Sequence, residues 1–159
     1  MKYKFNGETK VCCGITLKRI EALESFGNVS KGDKGGWIEK EENLAQVSGN
    51  AQVYGDAQVY GDAWVSGDAW VSGNAWVSGN AQLIWFSKVG SENGTLTAYR
   101  SKSGITVTRG CFIGSDDQFL LAVDKTHGSS KIGNEYRLLI EVTRLRIDLS
   151  IPIDEASND

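Results

Sequence analysis

The chain has 159 residues, 40% of them hydrophobic, which is enough for one or two small domains with a core. Seventeen Lys and Arg against 20 Asp and Glu leave a net charge of −3, too small to imply a polyanionic partner or a mimic of one. Nineteen glycines and a single proline fit a turn-rich β protein and, with that apolar content, exclude a disordered chain.

Cys12, Cys13 and Cys111 form no C-x-x-C pair and have one histidine, His127, in the whole chain, so neither a zinc centre nor a disulfide framework is expected. The opening residues MKYKFNGETK lack a signal-peptide apolar core, and no run approaches the roughly 18 apolar residues of a membrane span. The expectation is a soluble protein in a reducing cytoplasm, with no membrane partner.

Residues 1–13 read as a β-hairpin, with strands at 2–5 and 9–13 around an Asn6-Gly7 turn. Residues 16–26, TLKRIEALESF, space Leu17, Ile20 and Leu23 as a helix would, although no cap announces one. The reading favours a short helix, with an irregular strand as its alternative. In residues 27–44 the glycines at 32, 35 and 36 mark bends before Trp37-Ile38. The stretch lacks the G-x-x-x-x-G-K-[ST] spacing and the strand-to-helix frame of a phosphate loop.

From Ala45 six hexads follow without a gap: AQVSGN, AQVYGD, AQVYGD, AWVSGD, AWVSGN and AWVSGN. A seventh, AQLIWF, degenerates at Ala81. A period of six excludes an α-helix, whose 3.6-residue turn would scatter the valines around the cylinder. Alternation within Ala-x-Val-x gives a short strand, and Gly-Asn/Asp supplies a corner where positive φ is tolerated. Val47, Val53, Val59, Val65, Val71, Val77 and Leu83 should point inward with the alanines. Gln46, Gln52, Gln58, Trp64, Trp70, Trp76 and Gln82 should point outward.

Read from its valine, the unit Val-x-Gly-Asn/Asp-Ala-x resembles the hexapeptide repeat of left-handed parallel β-helices. The resemblance implies three hexads per triangular coil, so that residues eighteen apart stack and the tryptophans fall on three different sides. Seven hexads make little more than two coils, and the two open ends need covering by the flanking segments. The entry segment RIEALESFGNVSKGDKGGWIEKEENL, with its G-D-x-G-G-W-I core, is similar to that of hexapeptide-repeat proteins in enterobacterial genomes, tailed phages and prophages. There it looks like an irregular first coil or cap.

Beyond the hexads, Ile84-Trp85-Phe86 reads as the lid of the solenoid and residues 87–94 as a polar linker. Residues 95–110 alternate as a hairpin turning at 101–104. Ser115 is an N-cap with Asp116 and Asp117 in the first turn and Gln118 at the third position, opening a helix to about His127-Gly128. A second helix over about 132–147 carries Tyr136, Leu139, Ile140, Thr143 and Ile147 on one stripe. An acidic tail occupies 148–159. The expected fold is therefore mainly β. A short left-handed parallel β-helix (45–86) stands between an N-terminal cap with an irregular entry coil (1–44) and a small C-terminal α+β module (95–147).

The candidate interaction surface is aromatic: Trp64, Trp70 and Trp76, extended by Tyr54 and Tyr60, because exposed aromatics mark contact surfaces. The competing reading has flanking segments or self-association burying them. Arg137 and Arg144, seven apart on the second helix, form a candidate basic strip. The module around them holds eight basic residues against five acidic, a modest excess that makes nucleic acid an unfavoured partner.

Many proteins that this one resembles are acyltransferases with a histidine base on or near the coils. Here the coils carry no histidine, and Asp56, Asp62 and Asp68 sit at corners that turn geometry already explains. His127, at a helix end, is read as a cap of the last carbonyls. A Cys111–His127 pair is conceivable, but no orienting acid or oxyanion motif accompanies it. No catalytic, cofactor or metal residue is assigned. The expected function, resting on the resemblance, is a non-enzymatic phage or prophage accessory protein. It would be an inhibitor or adaptor of a host protein, such as an antiviral defence component, and would self-associate. An acyltransferase-like enzyme and a nucleotide-sequestering protein are the alternatives.

Overall fold

The structure is a computed structural model that describes residues 1–12, 14–46 and 49–150. Strands β1 (Tyr3–Cys12) and β2 (Ile15–Ala22) form an antiparallel hairpin. Its turn is not at Asn6-Gly7, as expected, but between Cys12 and Ile15, where Gly14 adopts φ 77°. Gly7 spends its positive φ of 98° on an irregularity inside β1, where the register shifts between Phe5 and Thr9. In place of the favoured helix over 16–26 the alternative, a strand, holds as far as Ala22, where β2 ends. The far edge of β2 pairs antiparallel with β3 (Lys34–Ile38), and ladder bonds on both sides override the helical spacing of Leu17 and Ile20.

The hexads contribute four strands of two residues each: β4 (Gln52–Val53), β5 (Gln58–Val59), β6 (Trp70–Val71) and β7 (Trp76–Val77). β4 pairs parallel with β6, and β5 with β7, matching Gln52 to Trp70 and Gln58 to Trp76, eighteen residues apart. β3 joins this stack through β5, giving the order β1-β2-β3-β5-β7. A third set of positions meets in an isolated parallel bridge between Leu44 and Val65. The arrangement comprises several short sheets and a helical pair, so the repeat region is not one continuous closed ladder.

The inward positions pack as the alternation requires. Ala51, Ala57, Ala63, Ala69, Ala75, Val53, Val59, Val65, Val71, Val77 and Leu83 all join one buried cluster. The inward position assigned to Val47 lies outside the described residues, as do Cys13 and the tail beyond residue 150.

Both ends of this column are covered. At the start, Tyr3, Phe5 and Ile20 join the cluster, and the Tyr3 hydroxyl donates to the Leu44 carbonyl at 2.8 Å. At the finish stands a four-stranded antiparallel sheet: β8 (Leu83–Val89), β9 (Gly94–Ser101), β10 (Gly104–Arg109) and β11 (Phe112–Ser115), in the order β11-β10-β9-β8. The stretch expected to be lid and linker is thus strand and turn. Ile84, Trp85 and Phe86 pair with Ala98, Thr97 and Leu96.

β9 serves two cores. Its Tyr99 packs with the solenoid valines, while Leu96 and Ala98 face a second cluster with Phe119, Val123, Tyr136 and Ile140. Those last four come from α1 (Asp116–His127) and α2 (Lys131–Arg146). The Ser115–Gln118 capping box forms at α1, and Ser130 caps α2 by accepting from the Gly133 amide. Among the described residues no helix is long and apolar enough to cross a membrane.

Candidate functional site

The five aromatic residues picked out as one surface are divided by the fold. Tyr60 and Trp76 lie on the β5/β7 side, where the outer end of the β1–β2 hairpin closes over them. They share a buried cluster with Cys12 and Leu17, flanked by Ile15 and Trp37. Trp76 is only 3% exposed, its indole N–H donates to the Tyr60 hydroxyl, and the Lys102 ammonium sits 5.2 Å above its ring. A partner cannot reach these rings without unfolding the hairpin.

Trp70, on the β4/β6 side, is held by the C-terminal sheet. Its amide donates to Thr97 Oγ1 at 3.0 Å, and Thr108 Oγ1 donates to its carbonyl at 2.8 Å. Next to it the Tyr99 hydroxyl donates to the Ser72 carbonyl at 3.0 Å and accepts from the Ser72 amide at 3.2 Å. Side chains of β9 and β10 therefore satisfy the last coil's backbone, which would otherwise be an open edge.

Trp64 and Tyr54 remain exposed. Trp64, at 54%, stands over an open groove of about 280 Å³ lined also by Asn80, Leu83, Ile84, Trp85 and Arg146. The Asn80 side chain fixes the backbone there by accepting from the Trp64 amide at 3.0 Å and donating to the Asp62 carbonyl at 2.9 Å. Sequence reasoning found Trp64 but missed Trp85 and Arg146, which arrive from a strand and a helix far along the chain. Only the tertiary fold brings them together.

The basic strip does not exist as a free surface. Arg137 binds the Asp124 carboxylate of α1 at 2.6 Å, and Arg144 spans Asp116 and Asp117 at 2.8 Å each. Both arginines clamp the two helices together. The charges that suggested a polyanion contact are neutralised in place, and the carboxylates raise the Arg144 pKa further.

A second cavity, of about 350 Å³, opens between α1 and the turn after β10. Phe112, Phe119 and Val123 line it, with Arg109, Cys111, His127 and Tyr136 also in its wall. Arg109 Nε donates to the Tyr136 hydroxyl at 3.1 Å, and the His127 ring lies 5.8 Å from the Tyr136 ring. Cys111 and His127 do share this wall, but no hydrogen bond joins them among the described residues. His127 is the last residue of α1, ahead of the C-cap Gly128. Among the described residues no group of three or more His, Cys, Asp or Glu is placed to hold a metal.

Comparison with known proteins bears on the hexads. A family model described as YdcK Beta solenoid repeat matches residues 51–67 and, one hexad on, residues 57–73. Over this stretch the chain carries a β-solenoid repeat similar to the YdcK one. No curated protein matches the chain.

Proposed function

We propose that the protein is a non-enzymatic binding module that docks a protein partner in the groove beneath Trp64. The observation that carries this reading is the exposure of Trp64 at the mouth of a concavity, while Tyr60, Trp70 and Trp76 are covered or held by flanking segments and the other exposed aromatic, Tyr54, lines no part of that groove. Trp64 projects beside Trp85 and Ile84 over a concavity, which is the residue chemistry that anchors protein interfaces. The occupant that fits is a protruding apolar side chain of another protein. The resemblance of the entry segment to phage and prophage proteins makes a cytoplasmic host protein the proposed partner, with inhibition or adaptation as the outcome. We also read the coils as a short left-handed parallel β-helix, a reading supported by the eighteen-residue register and the buried Ala and Val columns.

The test is affinity purification of the tagged full chain from a bacterial host. Mass spectrometry should identify one stoichiometric protein, and Trp64→Ala should reduce its capture at least tenfold while Tyr54→Ala leaves it unchanged. Capture indifferent to Trp64→Ala overturns the groove. Thermal protection by acetyl-CoA that His127→Ala abolishes overturns the non-enzymatic reading.

A further inference from the structure

We infer that the outer face of α2 pairs with the same face of a second copy of this chain, with the two helices side by side and parallel. The observation is an apolar row left in water: Leu138, Val142 and Leu145 on α2, then Leu149 just beyond it. Leu138 is 61% exposed and Leu145 87%. The helix has already buried Tyr136, Ile140 and Thr143 on its opposite side, so this is a second apolar stripe and not the edge of the core. A helix that is apolar on two faces needs two neighbours. Within the helix the intervals are four and three residues, the d-a-d spacing of a coiled-coil seam, and Leu149 adds apolar surface past the helix end.

Charge complementarity selects the occupant and its direction. With Leu138 at a d position, Glu141 falls at g and Arg146 at e, on opposite sides of the row. Both are exposed, and among the described residues neither makes an ion pair, whereas Arg137 and Arg144 are spent on α1. Their own separation of five residues prevents pairing within the helix, where ion pairs need three or four. In a parallel pair, g of one copy faces e of the other, so Glu141 meets Arg146 twice by symmetry. An antiparallel pair sets Glu141 against Glu141 and Arg146 against Arg146, which repel. A second copy supplies the same spacing and the complementary charges at once. Leu121, exposed on α1, adds apolar surface to the same helical layer. Between Leu138 and the helix end at Arg146 the seam is little more than one heptad long, so the dimer is weak and concentration-dependent.

The inference stands apart from the Trp64 groove, although Arg146 lines that groove too. Trp64→Ala should therefore leave self-association unchanged. In a Cys111→Ser background, the full chain carrying Val142→Cys should form a disulfide-linked dimer on mild oxidation, because a positions meet their own copies in parallel register. Light scattering of the unmodified chain should show a monomer–dimer equilibrium that Leu145→Asp weakens at least tenfold with the circular dichroism spectrum unchanged. Glu141→Arg should weaken it, and adding Arg146→Glu should restore it. A chain that stays monomeric at millimolar concentration overturns the inference. So does a dimer indifferent to Leu145→Asp, a Val142→Cys chain that dimerises without cross-linking, or a charge swap that fails to rescue.

Discussion

In residues 51–83 the apolar side chains directed inward are closed off completely, and of the large aromatics directed outward Tyr60 and Trp76 are covered by the hairpin while Trp70 is held by the C-terminal sheet. In α2 the inward stripe is closed just as well, yet Leu138, Val142 and Leu145 stand in water on the other side. Apart from Trp64 and Tyr54, the repeats are shielded because their strands are two residues long and cannot persist without neighbours, which the flanking segments provide. A helix satisfies its own backbone bonds, so its outer face can stay open without cost to the ladder. The difference locates where each region can be damaged.

The largest effect expected comes from placing one carboxylate in each region. Val59→Asp buries an unpaired charge at a position with no exposure and should cost at least about 3–5 kcal/mol, enough to unfold the repeats. Leu145→Asp, measured on dilute monomer, should change stability by less than about 0.5 kcal/mol. Urea denaturation of the two variants tests the contrast, and equal losses would break it.

The corners of the solenoid should sharpen it further. Gly55 and Gly61 sit at equivalent places in adjacent hexads with φ near 63° and 65°. A β-carbon at Gly61 would lie 2.2 Å from the Ser78 carbonyl oxygen, whereas one at Gly55 would meet its nearest atom, the Gly73 nitrogen, at 3.4 Å. Gly55→Ala should therefore cost about 1 kcal/mol, the left-handed strain alone, and Gly61→Ala about 2 kcal/mol or more. Thermal melts should rank them in that order.

How much could be foreseen follows from which forces are local. The six-residue period already contained the inward columns at Val53 to Val77, because alternation and glycine corners are properties of consecutive residues. The Ser115–Gln118 cap was legible for the same reason. The Asn6-Gly7 signal was real but ambiguous, since positive φ at Gly7 serves a bulge inside a strand as well as a turn. Residues 16–26 failed as a helix because two partner strands, distant in one case by a dozen residues, outweighed their spacing. The fate of Tyr60, Trp70 and Trp76 was illegible, because what covers an outward side chain depends on strands elsewhere in the chain. The outer row of α2 is legible in the sequence, because Leu138, Val142 and Leu145 repeat at helical intervals on the face opposite Tyr136, Ile140 and Thr143.

Tyr3 and Tyr99 close opposite ends of the solenoid, and alkaline pH should strike both. Burial raises the pKa of each phenol, that of Tyr3 well above its ordinary value with Glu41 and Glu42 pushing in the same direction, and that of Tyr99 against the opposing hydrogen bonds to Ser72. A raised folded-state pKa means that the unfolded chain releases its protons first. Stability is therefore intact below the ordinary tyrosine value of about 10 and falls as pH rises above it, by up to about 1.4 kcal/mol per unit for each phenol. Denaturant midpoints should decline steeply from about pH 10 upward, and Tyr99→Phe should flatten the decline at some cost in basal stability from the lost bond to Ser72. A decline unchanged by Tyr99→Phe and Tyr3→Phe together would exclude the end caps as its cause.

The smallest effect is expected where the helices meet. Arg144 joins α2 to Asp116 and Asp117 at the start of α1, but it is 42% exposed and Asp117 is 85% exposed, so water and salt screen the attraction. The carboxylates also favour the α1 N-terminus without any arginine, through the helix dipole. Arg144→Ala should therefore cost no more than about 1 kcal/mol, and the loss should shrink at high salt while that of Gly61→Ala does not. A larger, salt-independent loss would mean that the clamp between the two helices, and not the shared sheet beneath them, holds the module together.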